Sequence, residues 1–306
     1  MARWLTRLMD AQAGWVKPFG EWLHGIDHAI FHAIPSIRDL LNGRWLGHPI
    51  HALLTDAPIG ILFLVIVFDV VALPAAAGWA LGVGILGMLA AALAGFADYA
   101  DTDGKARERA TLHSTLMVVA LVVYLIDAVL RLGGPSGGPA SAAAIAVSVI
   151  AFLILAAGAF VGGDVVYVTG NMIDRHAYRG AGTKWLALEP AEVGPDGSIP
   201  EGRPIRAKLG INTLVLVRNG EMILALHDTC AHAGGPLSEG RLLDAGHRPI
   251  SDGGGGSAAI VECPWHGSRF RLGEGHVVGG PSVYDQPAYE VRARDGGGWE
   301  ARRQPA

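Results

Sequence analysis

The sequence predicts an α-helical transmembrane domain of four spans followed by a small all-β domain. Three observations carry this. Of 306 residues, 51% are of the AVILMFWYC set and only 17% are charged. With glycine counted as apolar and tyrosine not, roughly 63% of the chain is apolar, against about 45–50% in globular proteins. The excess is concentrated between residues 50 and 165. Beyond about residue 184 the texture changes to short alternating runs separated by turn residues. The balance of 24 Lys+Arg against 28 Asp+Glu argues against a nucleic-acid partner bound by phosphate neutralisation. Two cysteines are too few for a disulfide scaffold or a four-thiolate site.

Residues 1–47 read as an amphipathic segment on the membrane surface. Within it, residues 18–42 form a helix ended by Asn42-Gly43. His24, His28 and His32 fall at i, i+4 and i+8 on one face of that helix. The spacing suits either a metal or a polar interfacial stripe.

The four apolar runs are 57–73, 78–97, 112–132 and 141–161. Twenty helical residues rise about 30 Å, the thickness of the hydrocarbon core. The stretch 74–78, starting at Pro74, reads as a tight turn between the first two runs, and the Gly/Pro-rich 133–139 separates the last two. Gly82, Gly84, Gly87 and Gly95 suit close helix packing in lipid. Lys and Arg cluster before the first span, between the second and third, and after the fourth. The positive-inside rule therefore puts both termini in the cytoplasm of a cell with an inner membrane. No basic n-region runs directly into an apolar h-region with a cleavage site, so no signal peptide is expected. The membrane domain is placed at 48–170, a linker at 171–185 and the β domain at 186–306.

In the β domain, Asn212 to Arg218, then Asn219-Gly220, then Glu221 to Leu226 read as strand, tight turn and strand. Tyr289 to Arg294 and Trp299 to Arg302 read as a terminal hairpin around Asp295-Gly296-Gly297-Gly298. Two loops carry the chemistry. Cys230-Ala231-His232 is followed by Ala233-Gly234-Gly235-Pro236-Leu237, and Cys263-Pro264-Trp265-His266 by Gly267-Ser268-Arg269-Phe270. Both cysteines of the protein lie in this C-x-H … C-x-x-H pattern, which offers two thiolates and two imidazoles. A structural zinc takes such a set. A Cys230–Cys263 disulfide would also use the cysteines, although the cytoplasm disfavours it. A [2Fe–2S] cluster with two cysteines on one iron and two histidines on the other suits loops that each supply one of each.

The two loops resemble the signature of Rieske ferredoxin-type domains, including Gly-Gly-Pro-Leu after the first histidine and His-Gly-Ser-x-Phe in the second loop. Gly279-Gly280-Pro281 resembles the family's third, proline-bearing loop, and Pro287 to Val291 its closing strand. The resemblance covers roughly residues 185–306. It implies an all-β Rieske-type fold, with Cys230 and Cys263 on the inner iron and His232 and His266 on the outer, solvent-side iron. The free ring N–H groups would then meet a partner, and Gly267, Ser268 and Pro281 would surround the cluster. Residues 241–259 are longer than the family's usual stretch and include Ser251-Asp252-Gly253-Gly254-Gly255-Gly256-Ser257, which reads as a flexible insertion. Quinol-oxidising Rieske proteins add a loop disulfide, and the matching positions here are Gly235 and Trp265. They also carry a tyrosine where this chain has Phe270. A lost hydrogen bond to a ligand sulfur implies a potential in the lower part of the Rieske range, about −150 to +300 mV.

In the membrane part, His48, His51, Asp98 and His113 fall toward one end of the spans and are candidates for a site, because ionisable groups in lipid are costly. His51 and His113 could serve haem or quinone, or these residues could simply cap helix ends. Asp127 and Arg131 are spaced as a local i, i+4 pair. Gly47-His48-Pro49-Ile50-His51, Asp69, Gly95-Phe96-Ala97-Asp98 and His113 resemble a bacterial four-span membrane family of unknown function, over about 45–175. The function expected is one-electron transfer by a membrane-anchored Rieske protein on the cytoplasmic face. Its partners would be the bilayer and an electron donor and acceptor. The alternatives are a membrane redox enzyme with haem or quinone in the inner His/Asp cluster, and a redox sensor. A complete Rieske oxygenase is not expected, because no long soluble stretch or later histidine follows His276 to hold a mononuclear iron.

Overall fold

A computed structural model describes residues 2–133, 138–177, 184–193, 198–250 and 259–304. The expected Ser251–Ser257 insertion lies outside these described residues. The chain divides into two compact units, residues 1–43 with 49–171, and residues 44–48 with 172–306.

The first unit is helical: α1 (Ala2–Asp10), α2 (Ala13–Ala33), α3 (Pro35–Asn42), α4 (Ile50–Val70), α5 (Pro74–Tyr99), α6 (Gly104–Leu132) and α7 (Ala142–Tyr167). The last four are long and apolar enough to cross a membrane. Helix α4 packs along α5 and α6 along α7, and the two hairpins meet through α5–α6 and α4–α7. Leu62, Val65, Leu81, Ala120, Tyr124, Ala151 and Leu155 fill the centre. Gly84 is needed there, since a Cβ would come within 2.5 Å of Leu62 Cδ2. Trp79, Leu86, Leu93, Val129 and Leu153 point outward. This apolar exterior around satisfied helical backbone is what a bilayer requires.

Three boundaries differ from the sequence reading. The helices extend past the apolar runs at the end where α5 leads into α6; α6 begins at Gly104 and carries Lys105, Arg107 and Arg109 in its first turns. The turn between α4 and α5 is residues 71–73, with Ala72 at φ 57°, and Pro74 opens α5. Proline is at home there, because the first helical N–H has no intrahelical partner to lose. The helix expected over 18–42 is two helices, split where Pro35 starts α3, and α2 begins earlier, at Ala13. Gly43, at φ 86°, ends α3 as expected.

These N-terminal helices pack on the bundle. Met9 and Val16 bury themselves against Leu112 and Val161. Tyr99 Oη donates to the Gly20 carbonyl at 3.0 Å and lies 2.8 Å from Thr111 Oγ1. His24, His28 and His32 do share one face, with His28 and His32 stacked at 3.7 Å. The outer two meet guanidinium groups: Arg107 at 3.2 Å from His24 Nε2 and Arg38 at 3.0 Å from His32 Nε2. That charge makes the stripe a polar network and a poor cation site.

At the far end of the spans, Arg131 binds Asp69 through both terminal nitrogens, at 2.9 and 2.7 Å. It also binds Asp127 at 3.0 Å, the expected i, i+4 pair. Ser148 donates to Asp127 at 2.5 Å.

The second unit is β. Strands β1 (Leu186–Pro190), β2 (Ile205–Leu209), β3 (Asn212–Asn219), β4 (Met222–His227), β9 (Ala288–Ala293) and β10 (Trp299–Arg303) close into a barrel of order β1-β10-β9-β4-β3-β2. Strands β5 (Arg241–Leu243), β6 (Ile260–Glu262), β7 (Arg269–Arg271) and β8 (Val277–Gly279) form a separate antiparallel sheet. The β3–β4 hairpin pairs Asn219 with Met222, which puts Gly220, at φ 62°, first in the two-residue turn. Gly296, Gly297 and Gly298 all take positive φ between β9 and β10, as the terminal hairpin requires. Val215, Leu226, Leu237, Val261, Phe270 and Leu272 form one core cluster together with Cys230 and Cys263.

Asp27 on α2 is buried, with Oδ2 lacking a hydrogen-bond partner among the described residues. Burial, and then the like charge of Asp101, raise its carboxyl from 3.8 to about 7. Between those values the folded chain holds a proton that the unfolded chain has lost, so stability falls as pH rises through this window. Asp27→Asn is therefore expected to raise Tm clearly at about pH 8 and little at about pH 4. Equal shifts in thermal unfolding at both pH values would contradict this assignment.

Candidate metal centre

Two short loops carry these residues, one leading from β4 of the barrel to β5 of the small sheet and the other joining β6 to β7 within that sheet, and they repeat one backbone design. In the first, Cys230 N–H donates to the Gly235 carbonyl at 2.8 Å and Gly234 N–H to the Cys230 carbonyl at 2.9 Å. In the second, Cys263 N–H donates to the Ser268 carbonyl at 2.8 Å and Gly267 N–H to the Cys263 carbonyl at 3.1 Å. Gly234 and Gly267, at φ 90° and 73°, make both turns.

The repeat brings the two thiols side by side. Both are free and buried, and they share a hydrogen bond. That bond to Cys263, and then burial, push the Cys230 thiol up; the same bond brings Cys263 down against its burial. Backbone N–H groups of His232 and Ala233 point at the Cys230 sulfur, and those of Trp265 and His266 at the Cys263 sulfur. Each sulfur thus sits in a small nest of donors, which favours negative charge. The His232 and His266 rings lie 5.0 Å apart at 86°. All four expected ligand residues are brought together, with their donor atoms unblocked by a disulfide.

Glycines make the room. A Cβ at Gly235 would lie 2.8 Å from Cys263 Sγ and 2.9 Å from Trp265 Cγ. So the two positions matching the absent loop disulfide do face each other, as a glycine against an indole. The third loop closes over the second. A Cβ at Gly280, φ 80°, would collide with the Gly267 carbonyl, Pro281 is buried, and Ser282 N–H donates to Ser268 Oγ at 3.2 Å. Ser268 is fully buried, and because its oxygen accepts, its own hydrogen is left to donate. Trp265 and Pro264 form an exposed rim.

This donor set fits an iron–sulfur core: two buried sulfurs with backbone N–H groups aimed at them, a buried imidazole from His232 and a half-buried one from His266, and a cradle that a methyl group would fill. Residues 189–290 match the family model described as Rieske [2Fe-2S] domain. Ferredoxin CarAc of Metapseudomonas resinovorans is 30% identical over 89 residues, covering 29% of this chain and 70% of that protein. The chain belongs to the Rieske [2Fe–2S] family. Its cofactor is a Rieske-type [2Fe–2S] cluster. The 3-phenylpropionate/cinnamic acid dioxygenase ferredoxin subunit of Escherichia coli K12 is 28% identical over 102 residues, 33% of this chain and 83% of that one. The solved ferredoxin of carbazole 1,9a-dioxygenase from Nocardioides aromaticivorans IC177 is 24% identical, covers 39% of this chain and 99% of its own, and has a TM-score of 0.28. Residues 47–175 match the model described as Predicted membrane protein (DUF2231).

Three residues of the Rieske domain's site escaped the sequence reading. Gln286 donates to the His227 and Thr229 carbonyls at 2.6 and 2.7 Å, and accepts from Ala231 N–H at 2.9 Å. His176 Nε2 donates to the Thr229 carbonyl at 2.9 Å. Asp228 accepts from Ser238 N–H at 2.7 Å and from Arg206 at 2.9 Å. All three pin the first ligand loop from behind. They are single polar residues with no motif spacing to mark them.

Of the membrane candidates, His51 and His113 come together, with ring centres 6.1 Å apart. Asp98 is buried near the end of α5, beside the charge of Asp101. His48 is exposed and falls in the second unit.

Gly235→Ala is expected to lower cluster loading sharply, read as iron and acid-labile sulfide per chain, because the added methyl overlaps Cys263 Sγ. Full loading in that variant would show that the sulfurs sit farther from Gly235 than they do here.

Proposed function

We propose that this chain is a membrane-anchored Rieske iron–sulfur protein that passes single electrons on the cytoplasmic face of the inner membrane. Cys230 and Cys263 hold the inner iron, and His232 and His266 the outer one. The observation that supports this most is the duplicated loop that nests each sulfur in backbone N–H groups while presenting an imidazole from each loop. When bound, the cluster supplies a one-electron couple between ferric–ferric and ferric–ferrous states.

The protein's own groups decide how that couple behaves. The N–H groups at the sulfurs and the Ser268 hydroxyl stabilise the more negative, reduced state. Phe270 adds no hydroxyl of its own, so the potential lies in the lower part of the Rieske range. Gly280 and Pro281 close the third loop over the second and limit water at the sulfurs. The exposed Trp265 rim, beside His266, is a flat apolar face suited to a transient redox partner. Relatives named as dioxygenase ferredoxin subunits support a protein oxidoreductase as that partner. Lys and Arg flank the same end of all four apolar helices, which supports cytoplasmic termini and a cytoplasmic Rieske domain.

The direct test is purification of the full chain from membranes. About two non-haem irons and two acid-labile sulfides per chain are expected, and Cys263→Ser should lose both. A colourless, zinc-containing protein would end the proposal. Redox titration should place the midpoint in the lower part of the range of about −150 to +300 mV, and a value near the top would remove the argument from Phe270. Ser268→Ala should lower the midpoint by about 20–60 mV, the worth of one hydrogen bond of about 0.5–1.5 kcal/mol in a one-electron couple. A C-terminal reporter active only in the periplasm would contradict the orientation.

A further inference from the structure

The two membrane hairpins repeat one another, and the repeat brings two imidazoles, one from each hairpin, close together. In α4–α5, His51 Nδ1 lies 2.8 Å from the Ala91 carbonyl oxygen. A Cβ at Gly95, one turn further along α5, would come within 2.8 Å of the His51 ring. In α6–α7, His113 Nδ1 lies 2.8 Å from the Gly158 carbonyl oxygen. A Cβ at Gly162, one turn further along α7, would come within 2.9 Å of the His113 ring. The match continues to the other end of the bundle. Asp69 and Arg131 each follow their histidine by 18 residues, and they form the paired contact already described.

The carbonyl contacts fix the chemistry. A carbonyl oxygen only accepts, so each histidine carries its proton on Nδ1 and its lone pair on Nε2. Neither Nε2 has a hydrogen-bond partner among the described residues. The rings are 6.1 Å apart, centre to centre, at 73°. With metal–imidazole bonds of about 2.0–2.1 Å, two imidazoles on opposite sides of one ion have ring centres about 6 Å apart.

Three ligand classes can be weighed against this. A quinone offers carbonyl oxygens, which need donors, and both ring N–H groups are already committed to backbone. A bare divalent ion would keep its full charge in an apolar bundle with only two neutral ligands, which is costly. An iron porphyrin brings four equatorial nitrogens and two negative charges, and lacks only two neutral axial ligands.

We propose that His51 and His113 are the axial ligands of a haem b in the seam between the α4–α5 and α6–α7 hairpins. The chain then holds a second one-electron centre, in a site that does not depend on the cluster assignment. With both axial positions filled, reduction from ferric to ferrous iron adds one electron from a one-electron reductant and makes or breaks no bond.

The test is the haem content of the full chain, purified in detergent from cells supplied with haem precursor, read as pyridine haemochrome and as the dithionite-reduced minus oxidised spectrum. About one haem b per chain is expected, with a low-spin ferric signal. His51→Ala and His113→Ala should each cut haem content by about ten-fold or more while iron–sulfur loading stays unchanged. Imidazole added to His51→Gly should restore the reduced band, which guards against simple misfolding. Cys263→Ser should keep its haem and lose only the cluster, so failure of one assignment is separable from failure of the other. Haem below about 0.1 per chain in cluster-loaded protein, or haem retained in the double histidine variant, would overturn the proposal. So would a quinone or a porphyrin-free metal whose binding depends on these histidines.

Discussion

The Rieske domain depends on one constraint: two buried sulfurs must lie side by side without forming a disulfide. Left alone, such a pair is reactive and costly to bury as thiolate. The chain meets the constraint with one loop design used twice, in which the backbone turns around each cysteine and aims its N–H groups at the sulfur. Everything nearby serves that arrangement. Gly235 yields the space, Gln286 and His176 hold the first loop from behind, and the Gly280–Pro281 loop closes on the second.

The membrane unit follows the same logic with different materials. There, too, a structural element is used twice, and each copy presents one imidazole. Apolar side chains face outward, and the charged groups Asp69, Asp127 and Arg131 meet one another inside, as a low-dielectric surrounding demands. Arg131 binds Asp69, Asp127 and Ser148 together, so these two buried carboxylates and the guanidinium compensate one another.

Much of this was legible in the sequence. Four apolar runs gave the spans, because lipid imposes a length and composition that few soluble helices match. The two Cys/His loops were legible because cluster ligation fixes residue type and spacing together. The misread boundaries have local causes. Pro74 looks like a turn residue, yet it opens a helix, and Pro35 divides a periodic pattern that otherwise continues. Gln286 was invisible because its three hydrogen bonds reach residues 55 to 59 positions away. The hairpin repeat was invisible for a related reason. Its matching positions hold His and His, but also Asp69 and Arg131, whose opposite charges pair in space and look unlike in sequence.

In the proposed centre the two irons have unlike ligands, sulfur from Cys230 and Cys263 on one and nitrogen from His232 and His266 on the other. Pulsed EPR of the reduced full chain, with and without ¹⁵N-labelled histidine, tests it most directly. Couplings from two histidine nitrogens that change on labelling and are altered by His266→Cys are expected. A reduced centre with no histidine nitrogen coupling, or one unchanged by that substitution, would contradict it.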